Sequence, residues 1–194
     1  TQKCPYTYFA DLIIGETTCD AKKKMYEILN DYKETYVLQL PQGQGRPYAK
    51  EMWYEEVKIF KEMIEKRFGV EITDEKLREA AKFRNAFRQA IVDLYELQTH
   101  QPPAMLGTDL MMSVLASTFS LDQKAFLEQV QKQVAEAKEN YEKNGSSVDP
   151  GRKRILLTGS PSSSIFEKVA YTIEQNNGVI VCFDDCGGEI TQSM

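Results

Sequence analysis

No stretch of this chain stays apolar for more than a few residues, far short of the roughly 20 that a helix needs to cross a bilayer. The opening Thr1-Gln2-Lys3-Cys4 also lacks the layout of a secretion signal, so a cytoplasmic location and no membrane partner are expected. Basic residues are the minority, with 24 Lys and Arg against 29 Asp and Glu and a net charge of −5. Nucleic acid is therefore not expected as a partner, because phosphate binding normally leaves a basic footprint. Nucleotide signatures are missing too. Gly159-Ser160-Pro161 precedes a predicted helix, but no Walker lysine follows and no Gly-x-Gly-x-x-Gly occurs, so any phosphate cradle there is weak. The one histidine, His100, lies at a predicted helix end before Gln101-Pro102-Pro103 and reads as surface structure. There are only four cysteines, and neither sequence pair has the Cys-x-x-Cys spacing of a zinc ribbon.

What the chain does have is an ordinary globular composition, 42% hydrophobic and 27% charged over 194 residues. That length can bury one large core or two small ones. Cys182 and Cys186 occupy a Val-Ile-Val-Cys-Phe-Asp-Asp-Cys-Gly-Gly run, where an apolar strand is expected to give way to a glycine turn. Thiolates at the end of a buried strand are held rigidly and suit soft metals. In a reducing compartment the thiols are expected free, metal-bound or redox-active rather than disulfide-paired. A metal or iron-sulfur site is the leading expectation. Asp184 and Asp185 between these cysteines read equally as acid-base groups or turn formers.

Periodicity predicts two β-α-β units separated by helices. A strand over 10–15, a helix capped by Asp20 and running through Leu29, and a strand over 36–40 make the first. Lys22, Lys23 and Lys24 fall in that helix's first turn, where they oppose its dipole. Pro47 is expected to open a helix with Trp53, Val57, Phe60 and Ile64 inward. A second helix from Thr73 or Asp74 carries a stripe of Leu77, Ala80, Phe87, Ile91 and Leu94. A third buries Phe126, Val130, Val134 and Tyr141. Trp53 and the Met111-Met112 pair are expected in the core. A strand over 155–158, a helix over 161–175 and a strand over 178–182 make the second unit. The fold class is thus α/β, with parts of two Rossmann-like parallel-sheet domains joined by a long helical region. Residues 1–46 read as the end of the first α/β domain, 47–143 as the helical region, 144–151 as a linker and 152–194 as the start of the second domain.

The run Cys4-Pro5-Tyr6-Thr7-Tyr8-Phe9-Ala10-Asp11-Leu12-Ile13-Ile14-Gly15-Glu16-Thr17-Thr18-Cys19-Asp20-Ala21-Lys22-Lys23-Lys24-Met25 closely resembles the signature of the 2-hydroxyacyl-CoA dehydratase and benzoyl-CoA reductase family. Leu156 to Pro161 and Val181 to Gly188 resemble the opening of that family's second domain, so the likeness spans essentially the whole chain and is D-component-like. It implies an iron-sulfur cluster between two α/β domains and a separate ATP-hydrolysing activator that delivers low-potential electrons. By the same resemblance Cys19 and Cys186 match ligands shared across the family. Cys4 and Cys182 look like the extra cysteines of its double-cubane reductase branch. Glu16, Thr17 and Thr18 are expected to hydrogen-bond around the cluster sulfurs or to serve as turn and cap residues. No residue is assigned a catalytic role.

Against a complete member, an upstream domain with a further ligand and the rest of the second domain are missing, so an internal fragment is expected. Two linked cubanes want about three cysteines each, and four are present. The fragment alone is expected to be inactive and need not hold the cluster by itself. The first functional reading is an iron-sulfur reductase subunit, [4Fe-4S] or double-cubane, that passes electrons from its activator to a small or acyl-CoA substrate within a homo- or heterodimer. The second is an (R)-2-hydroxyacyl-CoA dehydratase subunit working through a ketyl radical. The third is a non-catalytic helical interaction module.

Overall fold

The computed structural model describes residues 4–160 and 166–185. The chain divides into two compact units, Thr1–Lys76 and Leu77–Met194.

In the first unit, a five-residue helix α1 (Pro5–Phe9) precedes strand β1 (Ile13–Glu16), helix α2 (Asp20–Asn30), strand β2 (Thr35–Leu38) and helix α3 (Ala49–Phe68). Helix α1 is too short to show a periodic pattern and was not expected. β1 and β2 pair in parallel, with Ile13 opposite Thr35 and Glu16 opposite Leu38. The parallel pairing follows from α2, whose crossover returns the chain to the same edge. α2 lies so close to the sheet that a Cβ on Gly15 would stand 2.5 Å from the Tyr26 ring. α3 packs on β2 through Phe60, whose ring centroid is 5.4 Å from that of Tyr36. The Gln39 N–H donates to Glu56 Oε1 at 2.9 Å and ties the two further. α3 ends at Gly69, whose φ of 63° is the left-handed geometry that glycine adopts without strain.

In the second unit, helix α4 (Asp74–Glu96, most of it in this unit) leads through a 3-10 turn (Leu97–Thr99) to α5 (Gly107–Phe119) and α6 (Gln123–Asn144). Strand β3 (Lys153–Thr158), helix α7 (Phe166–Gln175) and strand β4 (Gly178–Asp184) follow. The core gathers Phe87, Ile91 and Leu94 of α4, Leu110 and Val114 of α5, Phe126 and Val130 of α6, and Ile180 and Phe183 of β4. The stripe expected on α4 is buried only from Phe87 onward. Leu77 is 48% exposed and Ala80 is exposed as well, because the packed cluster reaches no further toward the start of α4 than Phe83. Met111 is buried as expected, whereas Met112, about 100° further round α5, is 48% exposed. Asp122 caps α6, its side chain accepting from the Ala125 N–H at 3.0 Å.

β3 and β4 also pair in parallel, and the register slips between Ile155 and Leu156, so that Ile155 faces Ile180 while Leu156 faces Cys182. β4 runs on through Asp184, so Cys182 lies inside the strand rather than at its end. α5 meets β4 closely enough that a Cβ on Gly107 would stand 2.2 Å from the Ile180 carbonyl oxygen. Within 144–151, Val148 is buried, and the Ser146 hydroxyl donates to the Pro103 carbonyl. The α/β architecture is the expected one, with two small parallel sheets each built on a β-α-β crossover. Part of the expected helix over 161–175, residues 161–165, lies outside the described residues. Among the described residues, no helix is long and apolar enough to cross a membrane.

Candidate functional site

Because β1 and β2 are parallel, their carboxyl ends share one edge, which is where α/β sheets present loops for binding. The loop leaving β1 is Thr17-Thr18-Cys19, and that leaving β2 begins at Gln39. Thr17 is 8% exposed and extends the pairing past the strands. Its N–H donates to the Leu38 carbonyl at 3.1 Å, and its Oγ1 accepts from the Leu40 N–H at 2.8 Å. The Thr17 carbonyl accepts from Gln42 Nε2 at 3.3 Å, and the same amide donates to the Leu40 carbonyl at 3.1 Å.

Cys19 follows as the N-cap residue of α2, extended at φ −139° and ψ 133°, with no capping bond from its side chain. Its carbonyl accepts from the Lys23 N–H at 3.1 Å, the first turn of the helix. The expected capping role of Asp20 therefore moves one residue back, because Cys19 is the last extended residue and Asp20 is already helical. Cys19 is exposed, a thiol on a fixed backbone at the start of a helix. Of the three lysines beside it, Lys23 donates to Asp20 Oδ1 at 3.1 Å and to Gln42 Oε1 at 3.0 Å, and Lys24 pairs with Glu27 at 2.9 Å.

A cleft of about 430 Å³ opens at this edge, lined by Thr17, Thr18, Leu40, Gln42, Lys50 and Trp53 among others. Trp53, expected in the core, is half-buried and forms part of this cleft wall. Three classes of residue thus line one concavity: an aromatic one in Trp53, a basic one in Lys50 and the hydroxyl-bearing pair Thr17 and Thr18. Such a mixture of apolar wall and few polar groups is typical of small-molecule sites. Below it in the sheet, burial pushes the Tyr36 phenol above its ordinary 10.0, and the neighbouring Glu56 carboxylate raises it further.

The predicted site residues fall into separate groups. Glu16, Thr17, Thr18 and Cys19 are consecutive at the end of β1. Cys4 is exposed in the same unit, and its carbonyl accepts from the Tyr8 N–H at the start of α1. Cys182 belongs to the second unit, half-buried in β4. Cys186 lies outside the described residues. Asp184 closes the β3–β4 ladder, its Oδ2 accepting from Thr158 Oγ1 at 3.2 Å and its carbonyl from the Gly159 N–H at 3.3 Å. His100 is packed as structure, its ring stacked on Tyr141 at 4.3 Å and its carbonyl accepting from Arg154 at 2.9 Å.

The donor chemistry at Cys19 suits an iron-sulfur group, since an exposed thiol on a rigid turn can ligate iron as thiolate. Among the described residues, no three His, Cys, Asp or Glu side chains come together as a complete metal cage. Sequence reasoning missed Gln42, Lys50 and Trp53 as neighbours of the Cys19 loop. The signal available was the Pro-Gln-Gly-Gln-Gly-Arg-Pro turn directly after a strand, which marks a loop at the binding edge of a parallel sheet.

Compared with known proteins, residues 1–193 match the family described as 2-hydroxyglutaryl-CoA dehydratase, D-component. A relative from Escherichia coli (strain K12), named "Putative dehydratase subunit YjiM", is 39% identical over 188 residues, 97% of this chain and 49% of the relative. The chain spans about half the length of that curated relative.

Proposed function

Since the chain belongs to the 2-hydroxyglutaryl-CoA dehydratase D-component family, we propose that it serves in an iron-sulfur subunit of a 2-hydroxyacyl-CoA dehydratase, with Cys19 as an iron ligand. The supporting observation is the exposed Cys19 thiol at the start of α2, one residue from a cleft at the carboxyl edge of a parallel sheet. Cys186 is the proposed partner ligand from the second α/β piece, with Cys4 and Cys182 as further ligands. An ATP-dependent activator is the proposed electron donor, and a homo- or heterodimer in the cytoplasm the proposed setting.

An iron-sulfur cluster, when bound, supplies one-electron chemistry and an iron that polarises a carbonyl. This chain's residues would do the rest by placement. Lys50 offers a positive charge at the cleft for an anionic, phosphate-bearing substrate such as an acyl-CoA. Trp53 offers an apolar wall that excludes water from one side. Glu16 and Thr18 flank the anchored Thr17, and their polar groups are the proposed hydrogen-bonding surroundings of the cluster.

Anaerobic reconstitution of the full-length protein with iron and sulfide, followed by metal analysis and EPR, tests the cluster. Turnover of 2-hydroxyacyl-CoAs with activator and ATP tests the reaction. Iron at background level would end this reading. A reductase is the second reading, favoured by Cys4 and Cys182, which exceed the two ligands that the family likeness matches in this chain. About eight irons per subunit, with substrate reduction and no dehydration, would establish it instead.

A further inference from the structure

We infer that Thr17, with Gln42, is a positioning residue that sets where Cys19 leaves the sheet, a role that rests on the reading of Cys19 as an iron ligand. Both flanks of Cys19 are held while its own side chain makes no capping bond. On the amino side, Thr17 is buried and carries three bonds to the β2 side: its N–H to Leu38, its Oγ1 from Leu40 and its carbonyl from Gln42. On the carboxyl side, Lys23 in the first turn of α2 reaches Gln42 Oε1 at 3.0 Å. The Gln42 amide thereby bridges the residue two before Cys19 and the residue four after it. A single primary amide donating at one end and accepting at the other can join these two segments; a carboxylate in its place could not donate to the Thr17 carbonyl.

The arrangement also assigns the Thr17 hydroxyl. Its oxygen accepts from a backbone N–H beyond the end of β2, so it works as one more rung of the ladder. The register ends with Glu16 opposite Leu38, the Thr17 N–H adds one last main-chain bond to the Leu38 carbonyl, and the hydroxyl carries the hold two residues further, to Leu40. Cluster ligation demands that a sulfur be held to a few tenths of an ångström, and groups that orient ligands typically change metal affinity by about 10–100-fold when removed.

The test separates position from ligation. In the protein with Cys19 as its only thiol, the sulfur is tagged with a trifluoromethyl reagent and read by fluorine NMR without any metal. One narrow resonance is expected for the parent and for Thr17→Ser, which keeps the hydroxyl. Thr17→Val, equal in shape but unable to accept, is expected to give a broadened or split resonance. Gln42→Ala, an exposed substitution, is expected to broaden it as well, and serves if Thr17→Val does not fold. In the thiol-replete protein, reconstituted iron at limiting supply is expected to fall about 10-fold or more in Thr17→Val and to recover in Thr17→Ser. Narrow, parent-like resonances in both Thr17→Val and Gln42→Ala, or a Thr17→Ser that behaves as Thr17→Val, would overturn the positioning role. Full iron retention in Cys19→Ser would instead remove the ligand reading, and the metal-free spectra would still decide whether Thr17 fixes the loop.

Discussion

Glu174, on the last turn of α7, closes the amino end of α5 at Gly107, 67 residues earlier in the chain: its Oε1 accepts from the Gly107 N–H at 2.7 Å. Oε2 takes the Thr108 hydroxyl at 2.6 Å and the Thr108 N–H at 3.3 Å, and Oε1 also receives the Ile180 N–H at 3.4 Å. The carboxylate is 6% exposed and sits at the positive end of a helix dipole, so its charge is offset by four donors and the helix end together.

Glu174→Gln is expected to destabilise the second unit by about 1–3 kcal/mol, because the amide must turn an N–H₂ toward groups that are themselves donors. Glu174→Ala is expected to cost more, leaving the N–H groups of Gly107 and Thr108 without this acceptor. Urea unfolding followed by far-UV circular dichroism measures both. Equal stability of Glu174→Gln and the parent would show that the carboxylate is not the cap.

Gly107→Ala places a methyl group 2.2 Å from the Ile180 carbonyl oxygen, a backbone atom that cannot rotate away. α5 must then shift off β4, at a cost of about 1–3 kcal/mol or more. Gly45→Ala, where a Cβ meets nothing within 4 Å, is the matched control and is expected to stay within about 0.5 kcal/mol. Melting temperatures of the two variants, run side by side, decide the matter.

Tyr36 predicts an alkaline limit for the first unit. Burial, and then the Glu56 charge, raise its phenol above 10.0, so the fold favours the neutral ring. Its contribution is complete below the unfolded value and is lost as pH rises through the elevated folded one. Tyr36→Phe should therefore flatten the decline of melting temperature above pH 10.0 while changing little at neutral pH. A decline of the same steepness in Tyr36→Phe would place the alkaline sensitivity elsewhere.

Trp53 is the one tryptophan of this sequence and lies on the cleft wall, so the part of the full-length protein's emission that Trp53→Phe removes reports on that wall. Titration with an acyl-CoA is expected to shift or quench that emission saturably. Lys50→Ala is expected to weaken binding by about 1 kcal/mol, with the difference shrinking at high salt as an exposed charge requires. An unshifted emission in the full-length protein would exclude this cleft as the binding surface.

Much of the framework was legible from periodicity. Phe126, Val130 and Val134 recur at helical spacing and are buried on α6, and both β-α-β units stand where turn residues and apolar runs place them. Helix α1 escaped because five residues hold barely one turn of pattern. Leu77 and Ala80 fit their stripe yet lie bare, since periodicity marks a face without saying how far along the helix a neighbour reaches. The Glu174 cap was invisible for a different reason: nothing local distinguishes a glutamate at the end of one helix from a partner for another helix 67 residues away. At the candidate site the Thr17-Thr18-Cys19 run was legible from its resemblance. The Gln42 bridge was not, because it joins two loops that become neighbours only once the parallel sheet exists.

The slip in β4 decides which atom the core receives. Ile180 and Phe183 are three positions apart, and an uninterrupted strand would send them to opposite faces, yet both belong to the same buried cluster. Val181, the residue skipped in the ladder, resets the parity, so that Phe183 is buried with Ile180 and Cys182 is left half-buried. Were the ladder regular with Val181 kept in it, the two would exchange places, lodging a sulfur in the hydrocarbon interior, whereas deleting that single valine would straighten the strand and leave the phenyl group inside.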